Sequence, residues 1–193
     1  MALIKTKSRG INLTDNFAFT GTVSGAGKIV QVKQTVVATF PTNNSANAWT
    51  NIGDVTITPT NANNDILIQV VVAYGGTDNN YSAGRVLRTR TTPAGSDNLR
   101  IGNANFTETR FTDASFGLQM NASANDTYKV WNTTFNYLDT THNSTSSTTY
   151  SVQGKSDGGY ASRTLFINRS ESNPGDGHNP PPWTTITVTE IAA

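Results

Sequence analysis

The chain has 193 residues, enough for one domain or one domain with an appendage. Hydrophobic residues make up 35% and charged residues 14%, both below the globular norm, and Thr, Asn and Ser fill about a third of the chain. A formal charge of +1 excludes a global electrostatic case for nucleic acid, and the absence of Cys excludes disulfides and thiolate metal sites.

The first stretch, residues 1–28, is basic, with Lys5, Lys7, Arg9 and Lys28 against Asp15. It has no apolar core of the signal-peptide kind, and nowhere does an apolar run approach the roughly 20 residues of a membrane-spanning helix. The segment INLTDNFAFTGTV alternates, with Ile11, Leu13, Phe17 and Phe19 on one face of an extended chain. Gly21, Gly25 and Gly27 then fall within seven residues, which reads as a joint. Residues 1–28 are therefore expected to be an anchoring arm, and 29–193 a head domain. The apolar face of the arm, Ile11, Leu13, Phe17 and Phe19, is too large to stay open on an isolated 28-residue segment, so it is expected to contact sister chains or a partner groove.

Beyond the joint, helical periodicity is nearly absent, and period-2 alternation broken by Asn, Gly, Pro and Ser predicts strands. They are expected at 29–39, 49–59, 65–74, 83–91, 98–102, 115–120, 127–138, 148–155, 163–168 and 183–191. The run Ile66 to Val72 is apolar almost throughout and predicts a central strand covered on both faces. In the last strand, Ile186 and Val188 are expected to point inward together with Thr184 and Glu190, leaving Trp183, Thr185, Thr187 and Thr189 outside. The connections NNSANA, TNANN, GGTDNNYSAG, TTHNSTSS and ESNPGDGHNPPP are dense in turn formers. The fold class that follows is all-β, a jelly-roll-like antiparallel two-sheet sandwich with an extended N-terminal arm.

Catalytic patterns are not found. The two histidines, His142 and His178, stand far apart in polar segments and cannot by themselves make a zinc site. No nucleophile elbow or phosphate loop occurs, and carboxylates such as Asp65 and Glu108 are no more than any chain would contain. Sequons at Asn12, Asn105, Asn121, Asn132 and Asn168 follow from a composition rich in Asn, Ser and Thr. No enzyme activity, cofactor or metal is expected. Three aromatics, Trp49, Tyr81 and Trp183, could offer a stacking platform to a sugar, although aromatic residues more often belong to a core or sheet face. The loop residues Asn79, Asn80 and Tyr81 are the candidate receptor contacts.

The opening MALIKTKSRGINLTDNFAFTGTVSGAG, then VTITPTNANNDILIQVVVAYGG, VLRTRT, TFNYLDTTHNSTSSTTYSVQGKS and LFINRS, and the ending WTTITVTEIAA occur in a familiar order. The chain resembles, over nearly its whole length, the tail-fibre-like virion surface proteins of marine bacteriophages, notably those infecting cyanobacteria. These motifs are strand and turn patterns with no catalytic residue among them. ESNPGDGHNPPP departs from the pattern. The resemblance implies a β-sandwich head behind a short arm, usually a homotrimer, on the particle surface of a virion assembled in the host cytoplasm and released by lysis. A phage capsid or tail protein would hold residues 1–28, and a host-surface glycan is a further candidate partner; nucleic acid and membrane insertion are not expected. Capsid decoration is preferred slightly to a short tail-fibre head, because no heptad shaft separates arm from head. A free receptor- or carbohydrate-binding module is the alternative.

Overall fold

A computed structural model describes residues 27–43, 48–76, 82–99, 113–118, 129–156, 164–171 and 182–193. The strands are β1 (Ile29–Val37), β2 (Thr42–Asn43), β3 (Thr50–Ile57), β4 (Asp65–Gly76), β5 (Ser82–Thr91) and β6 (Ala94–Leu99). They continue with β7 (Phe116–Gly117), β8 (Trp131–Asp139), β9 (Thr148–Ser156), β10 (Leu165–Ile167) and β11 (Thr184–Ile191). No helix occurs among the described residues.

All pairings are antiparallel and build two sheets. In the first sheet β4 pairs with β11 over 65–71 and with β8 over 66–74, so those two strands flank it. Tyr74 pairs with both Trp131 of β8 and Ile167 of β10, which puts β10 in line with β11. Because β1 pairs with β11 and β2 with β10, β2 likewise prolongs β1. The first sheet thus runs β1, β11, β4, β8, and the second runs β3, β9, β5, β6, with β7 prolonging β6. Among the long strands the first pairs with the last, β3 with β9, β4 with β8 and β5 with β6. This is one long hairpin rolled up, the double Greek key of a jelly roll.

Alternation in the sequence is what makes the two layers stick. Ile66, Ile68, Val70 and Val72 of β4 and Ile186 and Val188 of β11 meet Val55, Ile57, Val86 and Val152 of the second sheet, all nearly inaccessible. Each such side chain contributes about 1.5–3 kcal/mol on leaving water, so this apolar layer is the main source of cohesion. Gly84 has no side chain where the ring of Phe116 lies, and that ring continues 5.5 Å on to Phe135.

The strand expectations agree with the structure at most positions, and the differences are informative. β4 is central, as expected, but only Val72–Gly76 is buried on both faces; Gln69 and Val71 are exposed and Leu67 is half-exposed. An apolar run was read as two-sided burial, whereas its odd-numbered members lie on an open sheet face. The strand expected at 98–102 begins earlier, at Ala94, because β5 and β6 form a tight hairpin that turns at Thr92–Pro93; it is described as far as Leu99, and 100–102 lie outside the described residues. Of the segment expected at 115–120, Phe116–Gly117 pairs and 119–120 lie outside the described residues; β2 has no counterpart among the expected strands. Two-residue strands have no periodicity to read.

Candidate functional site

Among the described residues, polar side chains inside the sandwich form three clasps. At one end Arg88 of β5 crosses between the sheets to Asp139 of β8, its Nη1 lying 2.7 Å from both carboxylate oxygens. Asp139 also accepts from Tyr150 Oη at 3.0 Å and from the backbone and hydroxyl of Thr141 at 3.0 Å. The other arm of Arg88 reaches Asp97 of β6 at 2.8 Å, which Arg90 shares at 2.8 Å. Burial works against the charged Arg88 guanidinium, yet its bonds to Asp97 and Asp139 outweigh it and hold its pKa above the ordinary value. The same bond from Arg88 lowers the pKa of Asp97. Burial, and then the neighbouring Asp139 carboxylate, push the Tyr150 hydroxyl far above its ordinary value, so it stays a neutral donor. Asp139 has zero side-chain exposure and Arg88 6%, so the pair ties the two sheets together and offers no open face to a substrate.

At the same end, across β4 in the row Glu190–Ile66–Asp139, Glu190 of β11 turns inward, as the alternation requires, and is fully buried. It accepts from Gln31 of β1 at 2.6 Å, from Asn64 at 2.6 Å, and from the backbone and hydroxyl of Thr60 at 2.7 and 2.8 Å. Burial raises its pKa, but the donors Gln31, Asn64 and Thr60 outweigh that and bring it down to about 2. The clasp fastens β1 and the β3–β4 connection to β11. The third clasp is Asn168, which donates to the carbonyls of Val37 and Thr39 at 2.7 and 2.9 Å and accepts from the Thr184 amide at 2.7 Å. It fills the step where β1 gives way to β2 and β11 to β10. Asn168 has no exposure, so this sequon is a structural residue in the folded chain.

His142 is also buried, and neither ring nitrogen meets a partner among the described residues. Among those residues no group of three His, Cys, Asp or Glu side chains is arranged to hold a metal ion. Asp65 opens β4 opposite Ile191, half-buried. His178 and Glu108 lie outside the described residues. So do the arm positions Ile11, Leu13, Phe17 and Phe19 and the loop positions Asn79, Asn80 and Tyr81.

Of the aromatic candidates, Trp49 is half-buried and already engaged. The Arg85 guanidinium lies 4.5 Å and Lys155 Nζ 5.4 Å from its ring centre, and its indole N–H donates to Asp113 at 2.7 Å. Such stacked cations occupy the surface a sugar would use. Trp183 is different: it is 50% exposed, just ahead of β11 and near the end of the sheet where Phe40 is also exposed.

What the interior leaves over is the outside of the first sheet. Registers place three rows across it: Val36–Thr185–Val71–Thr134, Gln34–Thr187–Gln69–Asn136, and Val32–Thr189–Leu67–Leu138. None of these side chains is charged. The middle row is bonded within itself, Gln34 to Thr187 at 2.9 Å and Gln69 to Asn136 at 3.5 Å, and apolar side chains flank it. At the margin of this face, β1 has no strand beyond it among the described residues and exposes Ile29 (62%), Val30, Val32 (53%) and Val36 (50%). Lys33 is its one charged residue. Tryptophans and loops, not this edge, carry the sequence signals of a binding surface. The signal of the edge was the run of valines in IVQVKQTVV, which alternation alone assigns to a core.

No protein-family model matches the chain. No curated protein is similar to it in sequence. Among solved structures, a chain of one described as the structure of infectious bursal disease virus Gx strain is similar, with a TM-score of 0.42 and 12% identity over 94% of this chain. The present chain spans 41% of that chain's length, and a likeness at this level assigns neither family nor function.

Proposed function

We propose that this chain is a non-enzymatic structural protein of a bacteriophage particle, displayed on the virion surface as a β-sandwich head. The observation on which this rests is the inequality of the two outer faces. The second sheet presents rows such as Thr56–Thr149–Thr89–Ser96 and Asn51–Gln153–Arg85, polar and paired among themselves, as in Thr56 to Thr149 at 2.9 Å and Arg85 to Gln153 at 2.7 Å. The first presents the uncharged, apolar-flanked face just described. A sandwich that is finished on one side and open on the other is suited to being packed against neighbours and shown to solvent. The resemblance to virion surface proteins of marine bacteriophages supports the setting, with assembly in the host cytoplasm and release by lysis.

Within that reading residues 1–28 hold the head to a capsid or tail protein, the assembly is a homotrimer, and capsid decoration is preferred to a short tail-fibre head. Copy number in purified particles tests it. Hundreds of copies indicate decoration, about a dozen a tail fibre, and absence from the particle refutes the structural role. Deleting residues 1–28 is expected to leave a soluble head that no longer co-sediments with particles; continued co-sedimentation would exclude the arm as anchor.

One observation favours a second reading, a receptor- or carbohydrate-binding module. Trp183 leaves an indole half in solvent, and such a ring can stack on a sugar. Asn79, Asn80 and Tyr81 would be further contacts. Glycan-array binding that Trp183→Ala abolishes, with the fold intact, would support it; an array without hits would count against it.

A further inference from the structure

An unprotected sheet edge usually has some device against pairing: charges, proline, a very short strand or a cover. β8, the far edge of the first sheet, presents Asn132, Thr134 and Asn136 outward, with Leu138 as its one apolar outward residue. β1 has a single bulge between Ile29 and Gln31 and a single lysine, and the exposed side chains of its nine residues are aliphatic apart from Lys33 and Gln34. That is the geometry of strand addition, in which main-chain hydrogen bonds supply affinity and alternate side chains supply register.

We propose that residues 11–19 of a second copy of this chain add as an antiparallel strand to the free edge of β1. This rests on the homo-oligomer reading above and names its contact. The segment INLTDNFAF is nine residues long, as β1 is, so each covers about 30 Å when extended. Its apolar positions fall on one side, with Asp15 in the middle. With Asp15 beside Gln34, Leu13 stands beside Val36 and Phe17 beside Val32, on the same outer face. The two apolar rows are each lengthened by an apolar side chain. Asp15 extends the amide row, where Gln34 has a second N–H to give after its bond to Thr187. A register shifted by one residue would turn Leu13 and Phe17 away from the apolar rows, so this pairing is specified.

The donor is taken as another copy on the homo-oligomer reading, and the start of β1 is compatible with it. At its start β1 is still tied to the end of β11, the Lys28 carbonyl accepting from the Ala192 amide at 2.8 Å, and Gly27 lies against Ile191. The chain therefore enters β1 along the strand line from beyond the end of the sheet. A segment arriving from a neighbour needs no reversal, whereas one from the same chain must double back within residues 20–26. Those seven residues can extend about 25 Å, enough to bridge adjacent heads.

The chain contains no cysteine, so engineered pairs report cleanly. Two differently tagged full-length chains, one with Leu13→Cys and one with Val36→Cys, are coexpressed and mildly oxidised. Opposed strand residues lie within disulfide reach, so a mixed-tag covalent dimer is expected on a non-reducing gel. Phe17→Cys with Val32→Cys should behave alike, and Leu13→Cys with Leu138→Cys, on the far edge, should not couple. Circular dichroism checks that each variant is folded. Coupling only when both cysteines sit in one chain would overturn the proposal in favour of an arm folded onto its own edge. No coupling in a chain that light scattering finds oligomeric would overturn the edge contact and leave the oligomer standing. A monomeric mass without coupling would overturn both.

Discussion

The outer faces of the two sheets are built on the same alternation and end up as different surfaces. On the second sheet, outward Thr, Ser, Gln and Arg side chains satisfy one another, as in Thr89 to Ser96 at 3.1 Å. On the first, Val32, Val36, Val71 and Leu138 face out with no apolar layer over them among the described residues. Cross-strand polar pairs are individually worth only a few tenths to 1 kcal/mol, so the polar face is a way of being soluble rather than a large source of stability. The apolar face gains nothing until something covers it. One face is thus complete in the single chain, and the other is not.

Both faces presuppose an interior that holds, and the largest expected effect lies there. Asp139→Ala leaves Arg88 buried without its inter-sheet partner and removes the acceptor of Tyr150 and Thr141. A loss of about 3–5 kcal/mol is expected from urea unfolding, with both faces disrupted together. A loss below about 1 kcal/mol would mean that the ion pair does not join the sheets.

Glu190 comes next, because it holds the apolar edge in place and leaves the polar face alone. Glu190→Gln exchanges acceptor oxygens for an amide among donors and is expected to cost about 2–3 kcal/mol. The wild-type carboxylate titrates at about 2 in the folded chain against an ordinary 4.5. A lowered pKa in the folded state contributes stability that is fully present above about 4.5 and lost as pH falls through about 2. Unfolding midpoints measured between those values should fall in wild type and flatten in the Gln variant. Equal slopes would remove Glu190 from the acid response.

The comparison of faces is then tested directly. Val32→Lys with Val36→Lys is expected to change unfolding free energy by no more than about 0.5 kcal/mol while lowering the mass seen by light scattering. Thr56→Lys with Thr89→Lys, on the polar face, should change neither mass nor stability beyond that range. If both doubles dissociate the assembly, or neither does, the difference between the faces has no bearing on assembly. At Trp49 the expected effect is on stability alone, with none on assembly. Trp49→Leu removes the ring beneath Arg85 and Lys155 and the bond to Asp113, for roughly 0.5–2 kcal/mol, without altering glycan binding.

Alternation in the sequence determined the long strands and the inward set Thr184, Ile186, Val188 and Glu190, since a period of two fixes which side chains share a face. Turn residues fixed the breaks, and the absence of helical periodicity fixed the class. Alternation does not say what lies opposite a face. For that reason Leu67 and Val71 read like core residues and lie on the outside, while Trp49, a candidate platform or a sheet-face residue from sequence, lies under two cations. Asn168 read as a sequon in a polar chain; only the step between β1 and β2 makes it a buried clasp. The Arg88–Asp139 pair joins residues 51 positions apart that no local pattern connects. Which strand ends as an edge is settled by the rolled hairpin, because edges are a property of sheet order, and sheet order is made by contacts between the first strand and the last.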